Sequence, residues 1–136
     1  MRLTTIVFLL IAGLGCTTNK KIMTSKILNG VWVPIKQEMG GKELPAVVFA
    51  KQKLIIRDSA YTVIAESVDK GIISVSENKM DIYGKEGVNT GRHFTAIYKL
   101  ENGILTVCYN LAGDSYPETF DTKSKPTLFL SVFKKE

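Results

Sequence analysis

The residue types that most often perform catalysis or bind metals are sparse in this chain. His93 is the only histidine, and Cys16 and Cys108 are the only cysteines, so His-rich and Cys-rich metal sites are excluded. A Cys108–His93 pair is the one arrangement that would activate a nucleophile. In the hairpin described below, Cys108 lies opposite Ile97, four strand positions from His93, which is roughly 13 Å. The sequence therefore predicts no nucleophilic pair and a buried, inert Cys108.

Three carboxylates are candidates for acid–base catalysis, and one glycine-containing segment is a candidate for phosphate binding. The spacing of Asp81, Glu118 and Asp121 brings no two of them together, so we interpret them as turn and cap residues in loops. The three glycines of Gly84–Gly91 are too loosely spaced for a phosphate-binding loop, and they precede a strand where such a loop precedes a helix. They indicate a mobile loop at a barrel mouth. The sequence thus predicts neither an enzyme nor a cofactor.

The clearest structural signal is a hairpin over residues 93–111. Asn102-Gly103 is typical of a two-residue type I′ turn, in which both central residues need a positive φ. Folding the chain there sets apolar residues opposite one another on one face: Leu100 with Leu105, Tyr98 with Val107, Ala96 with Tyr109, and Phe94 with Leu111. The other face is mostly polar and carries Lys99 with Thr106, Ile97 with Cys108, and Thr95 with Asn110. One face of this hairpin therefore belongs to a core.

The remaining segments predict further short strands. They are Val31–Glu38, Lys53–Arg57, Tyr61–Glu66, Gly71–Val75, Met80–Tyr83 and Leu128–Lys134. Glu43–Lys51 has apolar residues for one or two helical turns after Pro45, and Gly113–Pro126 is rich in turn residues. Eight short strands without a long helix indicate an antiparallel sandwich or barrel, and closing the sheet removes its exposed edges. The interior of an eight-stranded barrel holds packed side chains or one small ligand.

Length and composition fit one globular domain. The 136 residues are 45% hydrophobic and 23% charged, which is too apolar for a disordered chain. The net charge of +5 comes from scattered lysines. A nucleic-acid-binding protein would concentrate its basic residues in a stripe interleaved with aromatics, and the chain has none, so nucleic acid is not an expected partner.

The N-terminal segment resembles a bacterial export signal. Arg2 precedes the apolar run Leu3–Leu14, which is too short to span a membrane, and small residues then lead to Cys16. This ending resembles a lipoprotein box, although such boxes usually carry Leu where this chain has Gly13. We expect residues 1–15 to be a signal peptide, Cys16 to carry a lipid, residues 16–25 to be a tether, and residues 26–136 to form the domain. Thr17 after the cysteine favours the outer membrane or its periplasmic face; plain secretion is the alternative.

Several motifs resemble those of one protein family. Leu28–Trp32 is similar to the L-x-G-x-W opening of lipocalin-like domains. Four further segments match in order and spacing: Gly41–Pro45, Ile97–Leu100, Leu105–Asn110 and Pro117–Phe120. Together they resemble a small uncharacterised lipocalin-like domain family that is abundant in Planctomycetes and present in other bacteria. That family usually has Arg where this chain has Tyr116. The resemblance implies an all-β fold, a small lipocalin-like antiparallel β-barrel of about eight strands.

The resemblance also suggests structural roles for two residues. In lipocalins the opening tryptophan packs across the closed end of the barrel, often under a basic residue of the last strand, and Trp32 and Lys134 are the corresponding residues here. We expect the barrel to bind a small, partly apolar molecule without catalysis, lined by Phe94, Tyr98, Val107 and Tyr109. Core filling is the competing interpretation of these four residues. The alternative function is a protein-interaction or inhibitor module that uses the outer face and the loops Gly84–Gly91 and Gly113–Pro126.

Overall fold

Short segments of alternating inward and outward residues build an antiparallel sheet. The structure is a computed structural model and describes residues 26–136; the predicted signal peptide, Cys16 and the tether lie outside the described residues. The elements are β1 (Gly30–Met39), β2 (Lys42–Glu43), α1 (Ala46–Phe49), β3 (Lys53–Arg57), β4 (Ala60–Ile64), β5 (Val68–Ser76), β6 (Lys79–Glu86), β7 (His93–Glu101), β8 (Ile104–Asn110) and β9 (Leu128–Lys135).

The strands close into a barrel. From β3 to β9 each strand pairs with the next in antiparallel fashion, β1 pairs with β3, and β9 returns to pair with β1. The two-residue β2 only extends β1 through a small hairpin. The prediction of an all-β, eight-stranded antiparallel barrel is confirmed. The barrel strands that the structure describes and both apolar clusters described below lie within residues 26–136.

The predicted hairpin has the predicted register. Tyr98 pairs with Val107 and Ile97 with Cys108, around a turn in which Asn102 and Gly103 have φ values of 52° and 75°. The apolar face points into the barrel, where it joins the main cluster of buried side chains. Strands β3 and β4 also match the predicted pairing, with Ile56 opposite Tyr61.

One end of the barrel is closed by the first of the described residues. Residues 26 and 27 are helical and residue 28 lies in a turn, and Leu28 and Trp32 are 0% and 1% exposed. The basic side chain over the Trp32 ring is that of Lys135, whose Nζ lies 5.3 Å from the ring centroid. The prediction of Lys134 is wrong by one residue, because Phe133 points inward and the alternation along β9 brings Lys135 to the same side.

The outer face of the central hairpin is covered as well. Ile97, Cys108, Leu128 and Leu130 form a second apolar cluster outside the barrel. The segment from residue 111 to residue 127 crosses this face and packs Tyr116 and Phe120 against it. The face that looks mostly polar in the sequence is therefore sealed by the chain's own turn-rich segment.

The predicted loop Gly84–Gly91 is shorter than its sequence suggests. β6 continues to Glu86, and the turn that follows is hydrogen bonded to the strand: the Gly91 amide donates to the Gly84 carbonyl at 3.0 Å. The Gly84 amide in turn donates to the Arg92 carbonyl at 2.9 Å. Among residues 26–136, no helix is long and apolar enough to cross a membrane.

Candidate ligand cavity

The half of the barrel opposite Trp32 contains a cavity. Its volume is about 370 Å³, within the range of small-molecule sites. The apolar part of its wall is formed by Leu54, Val63, Ile82, Phe94, Phe129 and Phe133. Polar and charged side chains also line it, namely Gln37, Gln52, Lys53, Tyr61, Asp69, Asn89, Arg92 and Ser131. The cavity lies at the end of the barrel where β1 stops, and both the β6–β7 turn and the segment before β3 contribute residues to its wall.

The sequence leaves this space because small or polar residues replace large apolar ones at inward positions. Ser131 lies between Phe129 and Phe133 on the inward side of β9 and is fully buried. Gly71 on β5 lies opposite Tyr61, and a Cβ there would come within 2.6 Å of the Tyr61 ring. The glycine therefore lets the ring of Tyr61 lie against the strand.

Two of the four predicted lining residues line this cavity. Phe94 and Tyr109 are part of its wall. Val107 borders a separate space of about 50 Å³, deeper in the barrel. Tyr98 borders neither; its hydroxyl donates to the Glu77 carbonyl oxygen at 2.9 Å. The prediction is corrected for Tyr98 and Val107, because the Asn102-Gly103 turn lies at the closed end and residues nearer to it belong to the filled half.

Several lining residues were missed by the sequence analysis. Leu54, Val63 and Tyr61 belong to the predicted β3–β4 hairpin, and its apolar face was the signal that could have found them. Gln37 and Ser131 gave no such signal, since a polar residue in a strand usually faces solvent. Both are buried here, at 3% and 0% exposure.

A hydrogen-bonded group of side chains links three chain segments beside the cavity. Gln37 Nε2 donates to Gln52 Oε1 at 2.8 Å and to Ser131 Oγ at 3.4 Å. Gln52 Nε2 donates in turn to the carbonyl oxygen of Val48 in α1 at 3.2 Å. These bonds connect β1 and β9 to the segment that carries α1.

Asp69 is the only carboxylate in the cavity wall that the structure describes. It is 8% exposed, and its Oδ1 accepts a hydrogen bond from the Asn89 amide at 3.2 Å. Burial and the charge of Asp69 raise the pKa of Tyr61, and burial and nearby Tyr61 raise the pKa of Tyr109. Both phenols are therefore protonated at neutral pH and can donate hydrogen bonds.

A second polar group lies on the outer face of the barrel. Asp81 Oδ1 lies 2.7 Å from His93 Nε2, and its Oδ2 accepts a hydrogen bond from the Tyr116 hydroxyl at 2.6 Å. The His93 ring stacks on Tyr83 with centroids 4.7 Å apart. The interpretation of Asp81 as a loop residue is wrong, because Asp81 lies within β6, paired with β7. Asp121 does form a local turn bond, to the amide of Lys123.

Cys108 and His93 are not brought together. Cys108 is fully buried in the outer cluster, opposite Ile97 and Leu130, and burial raises its pKa to about 11. A thiol with that pKa is protonated at neutral pH, and the protonated form is a poor nucleophile. No group of three or more His, Cys, Asp or Glu residues within 26–136 is arranged to hold a metal ion.

Comparison with models of protein families, with curated proteins and with solved structures gave no match. The relationship to the lipocalin-like family stays a prediction from the motifs.

Proposed function

We propose that this protein is a lipid-anchored protein of the bacterial cell envelope whose barrel binds a small, partly apolar molecule without catalysis. The observation that carries the proposal is the cavity of about 370 Å³, with a mainly apolar wall and a few polar side chains. Such a combination is typical of ligand sites, because the apolar wall supplies binding energy and the polar groups orient the ligand.

The surroundings of the cavity support binding over catalysis. Among the described residues, the cavity wall contains no thiol or histidine. Its one aliphatic hydroxyl, that of Ser131, is bonded to an amide of Gln37 and not to a base. A nucleophile needs a base within hydrogen-bonding distance, and this wall supplies none to Ser131.

The anchor is supported by the N-terminal pattern that ends at Cys16. The anchor is tested by growing cells with a labelled fatty acid. We expect label on the wild-type protein and none on Cys16→Ala, which should also leave the membrane fraction; an unlabelled wild-type protein would overturn the anchor and favour secretion.

The binding proposal is tested by native mass spectrometry of the full-length protein, extracted in detergent from the envelope of the host. The expected result is an added mass of fixed stoichiometry that is released by denaturation, and its mass would identify the class of ligand. As a control for nonspecific adducts, Val63→Phe, which reduces the cavity, should lose the added mass. A mass without addition, together with failure to bind any apolar probe, would overturn the proposal.

The alternative, a protein-interaction module, is favoured by apolar side chains at the open end. Val47 and Val88 are 85% and 73% exposed. The segment Gly113–Pro126 fits this alternative less well, because Tyr116 and Phe120 pack it onto the barrel. A partner that co-purifies with the wild type and is lost from Val47→Ser/Val88→Ser, while the cavity stays empty, would establish this function instead.

A further inference from the structure

Asp69 occupies an unusual position for a charged residue. Burial alternates along β5, so that Asp69 lies on the same inward side as Gly71, Ile73 and Val75. Its side chain belongs to the wall of the cavity and is 8% exposed. A carboxylate inside an apolar enclosure is costly unless a cation or several hydrogen bonds accompany it.

Within the described residues, Asp69 has little such compensation. One oxygen, Oδ1, accepts the single hydrogen bond from Asn89, and no Lys, Arg or His nitrogen in this part of the chain lies within 4.0 Å of the carboxylate. Oδ2 has no hydrogen bond from these residues. Every fully buried side-chain nitrogen and oxygen atom in the described part has a partner, so Oδ2 must border open space.

The backbone next to Asp69 is built closely around the carboxylate. Gly87 has a φ of 91°, and a Cβ at that position would lie 2.3 Å from Asp69 Oδ1. The β6–β7 turn therefore has a glycine, Gly87, where its backbone passes the Asp69 carboxylate. Two residues later, the amide of Asn89 donates its hydrogen bond to Oδ1. This arrangement fixes the carboxylate and leaves its second oxygen available.

Two basic side chains, Lys53 and Arg92, belong to the described wall of the cavity, and both already have partners. The Lys53 ammonium donates to Glu136 Oε1 at 2.6 Å. Arg92 belongs to the β6–β7 turn. Its guanidinium lies 4.8 Å from the centroid of Phe94, and its Nη1 donates to Asn89 Oδ1 at 3.3 Å. Arg92 is also exposed, so water screens its charge. Within the described wall, the buried charge without an oppositely charged partner is that of Asp69, which favours a positively charged ligand over an anionic one.

We infer that the ligand carries a protonated amine, or a similar cationic hydrogen-bond donor, that binds the Asp69 carboxylate while its apolar part lies against Phe94, Phe129 and Phe133. The inference rests on the proposed ligand-binding function and names the class of ligand. An ammonium group has three donors. One can bond Asp69 Oδ2, and the hydroxyl oxygen of Tyr61, which also lines the cavity, is a second acceptor.

The experiment uses residues 26–136 and a neutral apolar fluorophore, N-phenyl-1-naphthylamine, displaced by three decyl compounds that differ only in the head group. Decylammonium, decanol and decanoate are compared at neutral pH. We expect decylammonium to compete about tenfold better than decanol, as one charge-assisted hydrogen bond implies, and decanoate to compete worst. In Asp69→Asn, which keeps the Oδ1 acceptor for Asn89, the preference for decylammonium should disappear. Asp58→Asn makes the same charge change at the closed end and should keep the preference.

The outcomes separate the two proposals. Binding of the fluorophore with equal competition by the three compounds, or an unchanged preference in Asp69→Asn, would overturn the cationic ligand and leave the binding function intact. A wild-type protein that does not bind the fluorophore or any decyl compound would overturn both. The ranking of head groups is measured on the wild-type sequence, so it decides the inference even if Asp69→Asn does not fold.

Discussion

The indole nitrogen of Trp32 donates a hydrogen bond to the carbonyl oxygen of Leu28 across 2.8 Å, and both residues are fully buried. This bond joins the first strand to the helical turn that precedes it. It satisfies a carbonyl group that water cannot reach, and it fixes the large side chain at the closed end of the barrel.

Removal of the Trp32 side chain should be among the most damaging single changes. We expect Trp32→Ala to lower the free energy of unfolding by about 3–5 kcal/mol, because it creates a cavity in the filled half. Trp32→Phe keeps most of the volume and leaves the Leu28 carbonyl unpaired, so it should cost about 1–3 kcal/mol. Urea unfolding followed by circular dichroism measures both values; equal stability of Trp32→Phe and wild type would show that the hydrogen bond contributes nothing.

Stability should fall at alkaline pH. The Cys108 thiol has a pKa of about 11 in the folded protein against an ordinary value of 9.0. The folded state therefore holds its proton more tightly, so this contribution is complete below pH 9 and is lost as the pH rises towards 11. Tyr61, Tyr98 and Tyr109 act in the same direction above pH 10, since burial raises their pKa. Urea midpoints at pH 7, 9 and 10.5 should decrease, and the decrease from pH 9 to 10.5 should be smaller in Cys108→Ala.

Two glycines of the β6–β7 turn provide a matched comparison. Gly87 and Gly91 both have a positive φ, so alanine strains the backbone at either position by about 1 kcal/mol. Only at Gly87 would the added Cβ also meet Asp69 and the Val68 carbonyl; at Gly91 it meets nothing within 4 Å. We expect Gly87→Ala to be clearly less stable than Gly91→Ala in thermal unfolding. Similar melting temperatures would mean that the turn does not hold Asp69 as described.

The two halves of the barrel should respond differently to a larger side chain. Val63→Phe adds volume beside the cavity of about 370 Å³, so it should change stability by less than about 1 kcal/mol and weaken binding of an apolar fluorophore. Val107→Phe adds the same atoms where the side chain is 1% exposed, so it should cost about 1–3 kcal/mol. Unfolding and fluorophore titration on both variants give the comparison. Equal losses of stability would indicate that the open half is as tightly packed as the closed half.

The register of the central hairpin could be predicted because two independent signals agree. Asn102-Gly103 specifies the turn, and the apolar alternation on both sides specifies which face is buried. The ends of β5 and β6 were predicted too short, since Val68–Lys70 and Gly84–Glu86 contain charged residues and glycine that normally end strands. In the barrel, Val68 and Asp69 pair with β4, Lys70 pairs with Glu86, and Gly84 pairs with Gly71. This pairing overrides the low strand propensity of these residues.

The polar side of the cavity could not be predicted in the same way. Gln37, Asp69 and Ser131 have the sequence pattern of solvent-facing strand residues, and their inward orientation follows only from closure of the sheet. The apolar side was partly predictable, as Phe94 and Tyr109 show, because their cross-strand partners are apolar. Phe94 and Tyr98 both point into the barrel but differ in their position along its axis. That position decides which of them lines the cavity, and the alternation of apolar and polar residues does not reveal which end of the barrel is closed.

The pairing of β1 with β9 has a consequence for how the protein folds. These strands are the first and last of the barrel, and their ladder runs from Trp32 with Lys135 to Met39 with Phe129. Contacts between residues so far apart in sequence form late, because a long loop must close first. A nascent chain can build the hairpins from β3 to β8, but it has two open sheet edges until β9 has been synthesised. The time between synthesis of β1 and arrival of β9 is therefore the period in which this protein is most exposed to aggregation and most dependent on chaperones.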